Sequence, residues 1–104
     1  ALDIEDFPED YQNGNIDYPG DVDYFSIYTS YEETRTVHVE TSKQYTMLLQ
    51  IYKDGTLVAS QSGISNVSVT VDFDVDSLYY IMITSTDYTE YDFYLDYEFW
   101  WFIK

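Results

Sequence analysis

The sequence predicts an all-β protein, an antiparallel, jelly-roll-like β-sandwich of about seven to eight short strands. Three observations predict it. From Tyr24 onward, apolar and polar residues alternate in run after run, which is the period of a strand with one buried face. Tyrosine occurs 13 times, and tyrosine favours strands along with the β-branched residues. Turn residues punctuate the runs at short intervals, and no stretch carries a convincing helical repeat.

Each element has its own warrant. Residues 1–20 show no period, and they hold the turn signals Pro8, Asn13-Gly14 and Pro19-Gly20. They read as a loop-rich opening segment with at most a short strand at Asn15–Asp17. Phe25 and Ile27 then share one face of a strand. In Arg35–Thr41, Val37 and Val39 face one way and Thr36, His38 and Glu40 the other. Thr46–Tyr52 is mostly apolar, the mark of a strand buried on both faces. Asp54-Gly55 follows it, between "QIYK" and "TLVAS". Both central residues of a type I′ turn need positive φ, so Asp-Gly between apolar runs predicts a tight hairpin. Gln61–Asn66 reads as a polar loop. Val67, Val69, Val71, Phe73 and Val75 alternate without a break, as do Tyr79, Ile81 and Ile83. Tyr91, Phe93, Leu95 and Tyr97 alternate with Asp92, Tyr94, Asp96 and Glu98. Continued into residues 98–104, that alternation turns Phe99 and Trp101 inward and Trp100 and Phe102 outward.

A chain of 104 residues fits one domain, 1–104, with a modest core. Twenty Asp and Glu against four Lys and Arg give a formal charge of −16. Such a surface repels nucleic acid and anionic lipid, whose binding depends on Lys and Arg displacing counterions. With no cysteine there are no disulfides, thiolate metal sites or Cys nucleophile. No apolar run approaches 18 residues, so no membrane span is expected. The chain opens on Ala1 rather than Met, and it reads as a piece of a larger protein.

Four stretches, in order, are "GDVDYFSIY" (20–28), "LLQIYKDGTLVAS" (48–60), "LYYIMITS" (78–85) and "YDFYLDY" (91–97). Together they resemble the bacterial pre-peptidase C-terminal domain, the family that includes the collagen-binding domains of clostridial collagenases. The resemblance spans about Ala1 to Tyr97. It implies a sandwich appended to a secreted enzyme, with no chemistry of its own. It also implies that some members bind extracellular polymers and some bind Ca²⁺. This chain departs from the family in having Asp76-Ser77 ahead of the Tyr-Tyr-Ile strand. The acidic linker that carries several calcium ligands in those members precedes the position matched by Ala1.

Asp21 and Asp23 either protect the start of a strand or hold a cation. Two carboxylates two residues apart in a strand lie about 6.6–7 Å apart, and calcium takes six to eight oxygens. A curl after Pro19-Gly20 is therefore needed, with Asp3, Glu5 or Asp6 joining from the opening segment around a weakly held Ca²⁺. "DFDVDS" (72–77) has no Gly and no Glu at the sixth and twelfth positions of an EF-hand loop, so its acids read as a solvated face. His38 is the only histidine. It sits on a strand, and no G-x-S-x-G turn exists to expose a serine nucleophile. With twenty acids, a carboxylate pair at glycosidase spacing carries no information. No catalytic residues are expected.

The aromatics are more informative. Tyr80 and Met82 are expected to face outward, as is Tyr94. If their strands are neighbours these three form one patch, with Tyr52 and His38 as additions. Such a patch either stacks on a polymer or serves as cross-strand packing. Trp100, Trp101 and Phe102 read as a candidate interface, because five consecutive apolar side chains are not left exposed without a reason. The expected function is a non-catalytic module of a secreted bacterial protein. It would bind an extracellular polysaccharide or a collagen-like protein through its tyrosines. The alternative is a spacer that packs on neighbouring domains through its Trp-rich end.

Overall fold

The computed structural model describes residues 2–4, 9–29, 31–89 and 95–103, with 2–4, 9–13, 102 and 103 described by backbone alone. Nine strands occur among them: β1 (Leu2–Ile4), β2 (Glu9–Ile16), β3 (Val22–Thr29), β4 (Glu33–Glu40), β5 (Thr46–Lys53), β6 (Thr56–Ile64), β7 (Asn66–Phe73), β8 (Ser77–Ser85) and β9 (Leu95–Ile103). They form two sheets, ordered β1-β3-β8-β5-β6 and β2-β9-β4-β7. The fold is the expected all-β sandwich. Every pairing is antiparallel except β1 with β3, which is parallel.

Period-two burial builds the core. Phe25, Ile27, Leu49, Ile51, Ile81 and Ile83 point in from the first sheet, and Val37, Val39, Leu95, Phe99 and Trp101 from the second. The largest groups form a column. The Phe73 ring lies 4.6 Å from Tyr79 and 4.6 Å from Trp101, edge-on to both, the geometry aromatic pairs prefer. Arg35 extends the column, with its guanidinium carbon 4.5 Å above the Trp101 ring and a carboxylate partner in Glu33. Arg35 is 1 % exposed, so a buried positive charge is held by an ion pair and an aromatic face.

The Asp54-Gly55 hairpin forms as expected, with φ of 50° and 82° and Lys53 opposite Thr56. Several expectations need correction. The opening segment is not loop-rich, since β1 and β2 occupy most of its described residues. Asn13-Gly14 is not a turn. Gly14 lies within β2 opposite Tyr97 of β9, and a Cβ at this position would collide with the Tyr97 ring and hydroxyl. The glycine is there for close approach.

Residues 61–64 are not a loop. β6 runs on to Ile64, and the turn is the single residue Ser65, φ 65°. Val75 is not a strand residue. It is 47 % exposed, in the turn that Asp76 closes with φ 51°. β5 is half-buried on its outer face, and the central strand of the first sheet is β8. Trp101 is an interior residue of this sandwich, 0 % exposed, and cannot serve as an interface. Its neighbour Trp100 is half-buried on the outer face, and the Phe102 side chain lies outside the described set.

Gly14→Ala is expected to destabilise the fold by about 1–3 kcal/mol, as overpacking does. Urea denaturation measures this, and an unchanged midpoint would mean that Tyr97 does not lie over Gly14.

Candidate functional site

The outer face of the first sheet carries a tyrosine platform. Strand parity builds it. Phe25 and Ile27 point inward, so Tyr24 and Tyr28 point outward; Tyr79 and Ile81 point inward, so Tyr80 and Met82 point outward. Register then places Met82 opposite Tyr24 on one side and Gln50 on the other, with Tyr80 opposite Tyr52. Tyr24, Tyr52, Tyr80 and Gly55 line a shallow depression of about 520 Å³. Tyr24 is 48 % exposed, Tyr52 and Tyr80 are half-buried, and Met82 is covered. A polar row adjoins the rings. The Tyr52 hydroxyl donates to Gln50 Oε1 at 2.7 Å, and the Gln50 amide donates to Ser60 Oγ at 3.2 Å.

Of the residues expected in the patch, the structure brings Tyr52, Tyr80 and Met82 together, with Met82 as a covered floor. Tyr94 lies outside the described residues. The strand that follows it, β9, is in the second sheet, and β8 is flanked by β3 and β5. The last two strands are therefore not neighbours. Tyr24 was missed by the sequence reading, although the parity set by Phe25 and Ile27 already turned it outward. His38 is on the other sheet. Its ring lies 5.6 Å from Trp100, with Nδ1 3.1 Å from Ser68 Oγ and Nε2 2.9 Å from Glu40 Oε1. The three polar groups have the distances of a Ser-His-Glu arrangement. However, Ser68 sits in mid-strand on a sheet face, with no sharp turn to present its hydroxyl.

The acids of the opening question lie at one end of the sandwich. A turn closes there as expected, with the Asp21 amide donating to the Tyr18 carbonyl at 3.0 Å and Gly20 at φ 87°. Both carboxylates already have partners. Asp21 Oδ2 accepts from the Asp17 amide at 2.9 Å, and Asp23 Oδ2 accepts from the Tyr97 hydroxyl at 2.6 Å. Asp3 does not join them. β1 runs parallel to β3 with Asp3 opposite Ser26, three register positions beyond Asp23, or ~10 Å along the strand. Glu5 and Asp6 lie outside the described residues. No group of three or more His, Cys, Asp or Glu converges among the described residues. Two engaged carboxylates do not fit the six to eight oxygens calcium takes, so no step is assigned to the ion.

Burial raises the pKa of Asp23, the Tyr97 hydrogen bond opposes the rise, and Asp21 and Asp17 add to it. Burial, followed by the Asp23 hydrogen bond, also raises Tyr97. The sign for stability follows from linkage. Folded Asp23 holds its proton more tightly than the unfolded chain. Its contribution is complete below the ordinary value of 3.8 and is lost as pH rises through the elevated folded value. Asp23→Asn, which keeps an acceptor for Tyr97, should therefore gain stability relative to the parent between about pH 4 and pH 7. Urea midpoints of the two proteins at both pH values measure the gain; an advantage that shrinks with rising pH would contradict it.

No protein-family model and no curated protein sequence matches the chain. Solved structures do match. The pre-peptidase C-terminal domain of a collagenase from Bacillus anthracis superposes with a TM-score of 0.74 at 14% identity, over 94% of this chain and 90% of that one. PliG from Aeromonas hydrophila, a periplasmic inhibitor of g-type lysozyme, superposes with a TM-score of 0.69 at 10% identity, over 99% and 96%. PliG from Salmonella Typhimurium does so with 0.58 at 14% identity, over the full length of both. At these identities the likeness is one of fold, and the fold is that of the pre-peptidase C-terminal domain.

Proposed function

We propose that this chain is a non-catalytic, extracellular binding module of a larger protein, and that it holds a polysaccharide or a collagen-like protein on the tyrosine face of its first sheet. The observation that carries this is the convergence of Tyr24, Tyr52 and Tyr80 from three adjacent strands around one shallow depression. Aromatic rings stack on sugar or pyrrolidine rings, and each buries much apolar area for little lost side-chain freedom. The neighbouring Gln50 amide and Ser60 hydroxyl add hydrogen-bonding groups for the hydroxyls or carbonyls of such a chain. An open trough suits a long polymer, whereas small ligands are held in enclosed cavities. The charge of −16 directs the choice to neutral or cationic polymers.

Occurrence of the same fold in a collagenase domain and in periplasmic inhibitors supports a place outside the cytoplasm. No helix among the described residues is long and apolar enough to cross a membrane. The alternative, a spacer docking through the Trp-rich end, loses much of its basis because Phe99 and Trp101 are used in the core.

The test is retention of the purified chain on insoluble polysaccharides and on collagen. Tyr24→Ala and Tyr80→Ala should each weaken retention roughly 5-fold or more, as loss of an interface hot spot does, while Tyr24→Ala leaves the thermal midpoint nearly unchanged. A parent chain that is retained on none of these polymers, or variants retained like the parent, would refute the reading. In parallel, the parent and His38→Ala should show no turnover of ester, peptide or glycan substrates. Turnover by the parent that vanishes in His38→Ala would show that the Ser68–His38–Glu40 arrangement is catalytic.

A further inference from the structure

Charge is distributed very unevenly along this chain. Gly55 to Val71 contains no charged residue, the longest such run in a sequence with 20 acids in 104 positions. The run coincides with one flank of the sandwich. β6 is the edge of the first sheet and β7 the edge of the second, and only Ser65 lies between them. Leu57, Val58 and Ile64 on β6 are 47 %, 46 % and 66 % exposed.

Open edges are dangerous, and proteins blunt them with charges, prolines, bulges or brevity. The opposite flank follows the rule: β1 has three residues, and β2 opens with Glu9 and Asp10. β6 has nine residues and neither charge nor proline. Its one irregularity falls between Leu57 and Ala59, opposite Ile51 and Tyr52, and leaves Ala59–Ile64 in regular register.

We propose that the β6 edge is a self-association surface, where two copies pair β6 with β6 antiparallel about a two-fold axis and join their first sheets into one. The occupant is a second copy for two reasons. Two molecules of charge −16 can approach most cheaply along the uncharged flank. Antiparallel pairing also gives charge complementarity at its ends. β6 starts beside Asp54 and ends beside Lys43, whose carbonyl accepts from Ser65 Oγ at 2.8 Å. In the pair, the Asp54 end of each copy meets the Lys43 end of the other. Serines and apolar residues along the edge are suited to cross-strand partners, and a closed two-fold contact uses the same patch on both copies. The tyrosine platforms of both copies then lie on the same side of the joined sheet.

Sedimentation velocity of the full chain tests this, from micromolar to millimolar, in about 20 and about 500 mM NaCl. The expected result is a monomer–dimer equilibrium that salt strengthens, because screening removes the repulsion. Ser60→Glu with Ser62→Glu should weaken dimerisation at least roughly a hundredfold, since like charges facing each other cost several kcal/mol. Its melting curve at micromolar concentration should match that of the parent. Asn15→Glu, on the opposite flank, should leave dimerisation unchanged. A monomer under all conditions would overturn the proposal. So would a dimer that salt dissolves, one that survives Ser60→Glu with Ser62→Glu, or a monomer whose edge instead captures an unrelated neutral peptide.

Discussion

Phe73 stands edge-on between Tyr79 of one sheet and Trp101 of the other, and the orientation of the surface depends on that contact. A strand has two faces, so one side chain committed to the interior decides the facing of all the others. With Tyr79 inside, Tyr80 and Met82 must lie on the outer face. With Trp101 inside, Trp100 must face out beside His38. The aromatic column thereby selects the platform while contributing no atom to it. It also accounts for Arg35, which shares the parity of Val37 and Val39 and is carried into the core. There the Trp101 face and Glu33 receive its charge.

The other end of the sandwich is tied by a polar contact. Tyr97 comes from the second sheet, passes over Gly14 and donates its hydroxyl to Asp23 of the first. A tyrosine can bridge the layers because its ring is apolar where it crosses the core and its tip is polar where it meets the carboxylate. The arrangement explains why an acid sits on the inward face of β3, where parity alone calls for an apolar residue. Phe25 packs 5.0 Å from Phe99 just inside this tie, so the core passes into the polar end without an unpaired group on either Tyr97 or Asp23.

Much of this was legible in the sequence. The alternation around Phe25, Val37, Ile81 and Leu95 is a local signal, and it correctly separated inward from outward residues. Asp54-Gly55 specified its hairpin because the turn's positive φ demands such residues. Glycine and serine were legible only through their usual associations, and those misled. Asn13-Gly14 resembles a turn, but the glycine answers to Tyr97, 83 positions away. Gln61–Asn66 resembles a loop, but an edge strand tolerates Ser, Gln and Gly because half of it faces water. Strand order was not legible at all. Nothing local in β8 says that β3 and β5 flank it, so Tyr24 could not be assigned to the platform from composition and period alone.

The connectivity has a kinetic consequence. Of the strand pairs, only β5–β6 joins neighbours in the chain through a tight turn. β2 with β9, β3 with β8 and β4 with β9 unite segments separated by most of the sequence. Each such pairing must close a long loop before its contacts repay the lost entropy. The hairpin of β5 and β6 can form in microseconds, whereas the second sheet waits for β9, the last strand made. An acidic chain of this topology folds on the slow side of the range for its size, in milliseconds to seconds. Through that interval the tyrosine-rich strands β3 and β8 stay unpaired, and repulsion among the carboxylates they carry with them keeps separate chains apart until the sandwich closes.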